Sequence, residues 1–244
     1  MTEASDSFDG LSARLAGVRS RVERSARGAG RDPSEVTLIA VGKTHPAELV
    51  ARAASAGAHD LGENRVQEAE AKADEVARLA AVRPRWHLIG PLQSNKARRA
   101  VRLFDVIHTV DSAELAARLE RLCEEEGRGE LPVLLQLSLA GEPTKAGASE
   151  GELPRLVEKF ENCARVRLAG LMTMPPFFED AEQARPFFRR LRELRDELRG
   201  RGAFGAGAGA LSMGMSHDFE VAIEEGATMV RVGTAIFGER GAPR

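Results

Sequence analysis

Eight short apolar runs recur along the chain, and stretches with helical spacing separate them. They cover residues 36–41, 58–61, 85–89, 106–110, 133–137, 166–171, 208–211 and 229–232. Strands buried on both faces read as near-continuous apolar runs, so these segments belong to a sheet covered by helices. Eight strand–helix units within 244 residues match the size of a single α/β domain built as a (β/α)8 TIM barrel. A doubly wound open sheet is the rival, because it produces the same alternation. No linker or low-complexity tail marks a second domain, so residues 1–244 are read as one domain.

Local signals agree with this frame. Phe8, Leu11, Leu15, Val18 and Val22 recur at three- and four-residue steps, which gives an additional amphipathic helix before the first strand. Pro46 suits a first helical position, and Asp111 with Glu114 and Ser149 with Glu152 have capping-box spacing.

Composition narrows the partners. A formal charge of −2 lacks the Lys/Arg excess that nucleic acid or a membrane surface calls for. The two cysteines, Cys123 and Cys163, make neither a disulfide framework nor a cysteine-based zinc site. The five histidines are scattered without metal-ligand spacing. The opening residues are acidic and polar, unlike a secretory signal, and a cytoplasmic location is expected.

In a barrel, functional residues collect where the strands end. Lys43 follows the first run, Asn64 the second, and Met172 the sixth; Ser212, Met213 and Gly214 follow the seventh, and Gly233 and Thr234 the eighth. Gly42-Lys43-Thr44 is not a P-loop, since Thr37 occupies the place of the required first glycine. The glycine run at 205–209 matches a dinucleotide-binding pattern by letter, but it follows a helix and precedes a strand, the reverse of the required order. It serves as a flexible approach to the seventh strand.

Lys43 is either a solvated loop lysine or a nucleophile. An amine partly desolvated at a barrel mouth gives up its proton more readily and can form a Schiff base with an aldehyde. Main-chain N–H groups and hydroxyls at 212–214 and 233–234 either form tight turns only or cradle a phosphate. Arg231, within the last run, is either half of an ion pair or a fixed donor to a ring nitrogen, which it would keep unprotonated. Asn64 holds a ring hydroxyl or caps a helix. His87 is read as a core histidine, and residues 92–96 as a polar loop leading into a small basic patch at Arg98 and Arg99.

Together the segments VGKTHP (41–46), GENRVQE (62–68), WHLIGPLQSNK (86–96), GLMTMP (170–175), LSMGMS (211–216) and MVRVGTAIFG (229–238) resemble the pyridoxal phosphate homeostasis protein family over residues 8–240. That resemblance implies an alanine-racemase-type, fold-type III barrel that binds pyridoxal 5′-phosphate (PLP) on Lys43, as a monomer or weak dimer. The implied contacts are Lys43, Asn64, Met172, Ser212, Met213, Gly214, Arg231, Gly233 and Thr234, with Arg231 facing the pyridine nitrogen and Ser212, Gly233 and Thr234 on the phosphate. It further implies a PLP carrier or reservoir in vitamin B6 balance, with apo PLP-enzymes as recipients, no catalytic residue and no metal. Gly42 and His217 depart from the serine and aspartate common in the family.

The alternative is a PLP-dependent amino-acid racemase. Racemases of similar fold use a tyrosine as second base, and this chain contains no tyrosine, so a cysteine or histidine would have to serve. A lysine-dependent aldolase would need the same lysine and phosphate loops without a cofactor.

Overall fold

The computed structural model describes residues 3–140 and 146–238, with side chains from residue 10 onward. Eight strands form a closed parallel barrel in chain order: β1 Thr37–Val41, β2 Asp60–Glu63, β3 Arg85–Leu88, β4 Val106–Val110, β5 Leu131–Leu137, β6 Val166–Thr173, β7 Ala210–Met215 and β8 Met229–Val232. Closure is made by β1 against β8, with Leu38 opposite Val230 and Ile39 opposite Arg231. An open sheet has no such pair, so the barrel displaces its rival.

The helices α2 Ala47–Ser55, α3 Val66–Leu79, α4 Ala97–Leu103, α5 Ala113–Glu125, α6 Leu153–Glu161, α7 Arg185–Gly200 and α8 Phe219–Glu224 wrap the barrel. Each presents one apolar stripe inward, as α6 does with Leu153, Leu156, Val157 and Phe160. The outward strand residues Leu61, Leu88, Ile107, Leu135, Leu171, Leu211 and Val230 meet these stripes in one continuous core. The leading helix α1 Glu3–Gly28 buries Leu11, Leu15, Val18 and Val22 as the spacing requires; the side chain of Phe8 lies outside the described residues. Arg14 and Arg21 dock α1, through the Ile236 carbonyl at 2.8 Å and the Glu220 carboxylate at 2.9 Å.

Local expectations fare unevenly. The Ser149–Glu152 capping box is present, with the Ser149 N–H donating to Glu152 at 2.8 Å. At α5 the cap shifts by one: Ser112 Oγ, rather than Asp111, accepts the Leu115 N–H at 3.2 Å. Strand β7 runs on to Met215, so Ser212, Met213 and Gly214 are strand residues, where the sequence predicted a loop. Pairing of Met172 with Ser212 and of Ser212 with Met229 carries the ladder past a serine that reads like a strand end. Met172 is likewise within β6. The expected basic patch is neutralised, Arg98 by Glu125 and Glu126 and Arg99 by Glu70. No helix among the described residues is long and apolar enough to cross a membrane.

Candidate functional site at the barrel mouth

Lys43 lies two residues beyond β1, half-buried, in a turn whose backbone is held from both sides. The Gly42 N–H donates to the Gly62 carbonyl at 3.1 Å. The Gly42 carbonyl accepts from Lys72 Nζ at 2.8 Å, and the Thr44 N–H donates to the Glu68 carboxylate. Thr44 has φ +68°, the one non-glycine residue in the left-handed region among those described. Such strain persists where the surroundings over-determine the backbone, and here they do. A side chain at Gly42 would lie 2.8 Å from Val50 and 3.3 Å from Glu63 Oε1, so the turn packs closely against α2 and β2.

Lys72, on the inward face of α3, is buried with Glu63 and bridges it at 2.8 Å and Glu68 at 2.7 Å. Burial pushes the Glu63 carboxyl up to about 7, against the Lys72 charge, while Glu68 adds to the rise and Lys43 opposes it. The direction makes sense because one ammonium serves two carboxylates and Glu63 Oε2 has no partner among the described residues. Sequence reasoning missed Lys72. Its signal was a lysine at the same spacing as Val66, Ala69 and Val76, the buried stripe of α3.

Across the β1–β8 seam, Gly233 packs on the backbone of Val41, which brings Gly233, Thr234 and Lys43 to one end of neighbouring strands. Thr234 opens the short helix α9 Thr234–Phe237. The Gly233 N–H donates to Ser216 Oγ at 3.2 Å, so Ser216 joins this group although the sequence reading passed over its hydroxyl. Gly214 has φ +88°, and a Cβ there would lie 2.6 Å from Ala222 and 2.9 Å from Phe219, so only glycine lets β7 meet α8. Met213 is fully buried in the core.

Arg231 points into the barrel and is 3% exposed. Among the described residues it meets a hydroxyl and a carbonyl, with no ion pair: Nη1 donates to Ser212 Oγ at 2.6 Å and Nη2 to the Thr173 carbonyl at 3.0 Å. Burial lowers its pKa to about 10, with the Asp218 charge opposing, so it remains a cation at neutral pH. Ser212 thus sits beneath Arg231, fully buried. Its Oγ also lies 2.8 Å from His108 Nδ1, and His108 Nε2 lies 2.9 Å from His87 Nδ1. The fold gathers two histidines that look scattered in sequence. Among the described residues no cluster of three or more His, Cys, Asp or Glu could hold a metal.

Met172 is buried inside the barrel with Val106 and Leu134. Asn64 follows β2, half-buried; the N-cap of α3 is Arg65, so Asn64 does not cap it. A cavity of about 360 Å3 opens at the ends of β5, β6 and β7, lined by Gln136, Met174, Phe177 and Met215. Gln136 is 2% exposed, and its Oε1 has no hydrogen-bond partner among the described residues. The mouth therefore combines a half-buried amine, a fixed guanidinium and a cluster of N–H and hydroxyl groups on the β7, β8 and β1 side, while the cavity at β5–β7 is lined by other residues.

The family model of the alanine racemase N-terminal domain matches residues 14–241. The pyridoxal phosphate homeostasis protein of Pseudomonas aeruginosa is 45% identical over 232 residues, 94% of this chain and 96% of that protein. The protein of the same name from Aquifex aeolicus is 40% identical, covering 93% of this chain and 97% of that one. Among solved structures, PipY of Synechococcus elongatus with PLP bound is 41% identical with a TM-score of 0.78, covering 93% of this chain and 100% of that one. An alanine racemase of Clostridium difficile has a TM-score of 0.70 at 15% identity, over 96% of this chain and 60% of that one, a likeness of fold alone. With relatives this similar along almost its whole length, the chain belongs to the pyridoxal phosphate homeostasis protein family.

Proposed function

We propose that this chain, as a single barrel domain, binds PLP as a Schiff base on Lys43 and serves the intracellular supply of the vitamer in the cytoplasm. It would hand PLP to apo-enzymes without turning over a substrate of its own. One observation carries the reading: a lysine whose flanking backbone is clamped stands at the same end of the β1–β8 seam as Gly233 and Thr234, with Arg231 buried just below. Bound PLP supplies an aldehyde carbon for the amine.

The residues fit that group. Arg231 offers a donor that keeps its proton, which suits an unprotonated pyridine nitrogen and gives a weak electron sink. The N–H groups and hydroxyls of Ser216, Gly233 and Thr234 suit the phosphate. Ser212 is assigned here to supporting Arg231 from below. Asn64 flanks the ring and Met172 lies inside the barrel, while Met213 and Gly214, whose side-chain positions face the helices, offer only their main chain. The likeness to PipY, solved with PLP bound, and the shared name of the curated relatives support the same reading.

Borohydride treatment of PLP-loaded protein, followed by peptide mass spectrometry, tests it. A pyridoxyl group is expected on Lys43 and none in Lys43→Ala; a colourless protein that takes up no PLP would favour the aldolase alternative. Transfer of the vitamer to an apo-enzyme tests the carrier role. Deuterium wash-in at the α-carbon of amino acids, at rates typical of an enzyme, would instead establish a racemase.

A further inference from the structure

A single row of hydrogen bonds crosses the barrel interior from floor to mouth. Arg85, at the start of β3, donates Nε–H to Asp60 Oδ1 at 2.8 Å, and Asp60 Oδ1 also lies 2.8 Å from His87 Nε2. His87 meets His108 at 2.9 Å, His108 meets Ser212 at 2.8 Å, and Ser212 meets Arg231 at 2.6 Å. His87, His108 and Ser212 are 0% exposed. The lower end borders a floor cavity of about 370 Å3 lined by Arg19, Thr37, His59 and Asp60.

The two ends dictate the direction of every bond. A guanidinium only donates, and a carboxylate only accepts. With both rings neutral, one ordering fills each contact: Arg231 Nη1–H to Ser212 Oγ, Ser212 O–H to His108 Nδ1, His108 Nε2–H to His87 Nδ1, and His87 Nε2–H to Asp60. Burial drives His108 well below the ordinary histidine range, with the Arg231 charge adding to it, in keeping with a neutral ring. Burial raises the Asp60 carboxyl, but the hydrogen bonds from His87 and Arg85 and the Arg85 charge outweigh it and hold the group below its usual value. An incompletely satisfied buried network is costly, whereas a complete one rigidifies its members.

We propose that Asp60, His87, His108 and Ser212 act as positioning residues for Arg231, so that a carboxylate at the barrel floor sets the orientation in which the arginine faces the mouth. The row tethers Nη1 through Ser212 while the Thr173 carbonyl tethers Nη2, which leaves the guanidinium one rotamer. The consequence for the ligand rests on the PLP reading above; the order of hydrogens does not.

Nitrogen-15 NMR of the histidine rings in the ligand-free chain decides the order. Both His87 and His108 are expected as neutral Nε2–H tautomers at neutral pH; an Nδ1–H or doubly protonated His108 would overturn the proposal even if PLP binds as described. Asp60→Asn replaces the charged acceptor of the His87 N–H with a neutral one, and should change the His108 nitrogen shifts two links away and speed PLP release about tenfold, the difference between a charge-assisted and a neutral hydrogen bond. Arg83→Gln, which removes an exposed floor ion pair outside the row, should alter neither. A lower melting temperature for Asp60→Asn with unchanged His108 shifts and unchanged release would reduce the row to structural filler. Where Asp60→Asn does not fold, Ser212→Ala cuts the row beside Arg231. It should speed release while leaving His87 in its Nε2–H form, and unchanged release would overturn the proposal. If the chain takes up no PLP, the nitrogen shifts of the apo-protein still establish or refute the row.

Discussion

The two faces of the same strands are built from opposite materials. Outward, toward the helices, β3, β4, β7 and β8 present Leu88, Ile107, Leu211 with Met213, and Val230 with Val232, all in the apolar core. Inward, the intervening positions are His87, His108, Ser212 and Arg231, all buried and hydrogen-bonded. The outer layer gains free energy by removing apolar area from water, which is non-directional and tolerant of exact geometry. The inner layer gains little net stability, because desolvation offsets most of each polar contact, but it fixes direction. Stability and positioning are thus divided between alternate residues of one strand.

That division can be broken from the outside first. Phe188, fully buried on α7, faces only the shell. Phe188→Ala should cost about 4 kcal/mol and lower the melting temperature by about 10 °C. Borohydride labelling of Lys43 in the folded protein should remain as in the parent. If labelling fell with stability, the two layers would not be separable.

Lys72→Met probes the clamp on the Lys43 turn, which lies between the layers. Removing the cation leaves Glu63, Glu68 and the Gly42 carbonyl without a shared donor, at a cost of about 3 kcal/mol in chemical denaturation. Unlike Phe188→Ala, it should also reduce labelling of Lys43, because the backbone that presents the amine loosens. Equal labelling in the two variants would detach the clamp from the site.

Glu63 gives the pH dependence its sign. Its native value of about 7 lies above the ordinary 4.5, so between them the unfolded chain releases a proton that the native state keeps. Its contribution to stability therefore falls as pH rises through that window and is level above it. Glu63→Gln should flatten the melting-temperature profile there, gaining roughly 2 kcal/mol on the parent from the acid to the neutral end. A parent profile already flat over that range would contradict the raised value.

The smallest effect is expected inside the barrel at an apolar position. Met172→Leu keeps volume and polarity beside Val106 and Leu134, and should cost less than about 1.5 kcal/mol. A larger loss, seen in denaturant midpoints, would mean that the inner layer is packed as tightly as the shell.

Much of this was legible in the chain. Apolar runs fixed the strands, and Lys43, Gly233 and Thr234 were found at strand ends because function in a barrel gathers there. Ser212 was noticed but misplaced, since a serine after an apolar run reads as the start of a loop. His108 went unread, although Ile107-His108 repeats the apolar–polar step of Trp86-His87 and Val230-Arg231. One polar residue in an apolar strand carries no address: alternation says that it faces the other side, not what it meets there.

Sequence alone determined the strand–helix alternation, the absence of tyrosine and the amine at the end of the first strand. These depend on local periodicity and on residue identity, which the chain carries by itself. Tertiary structure decided that Lys72, on the third helix, clamps the Lys43 turn, and that Asp60, His87, His108, Ser212 and Arg231 form one row. Those partners come from five strands spread over more than 170 residues, and hydrogen bonds act only at contact distance, so barrel closure and strand register had to bring them together.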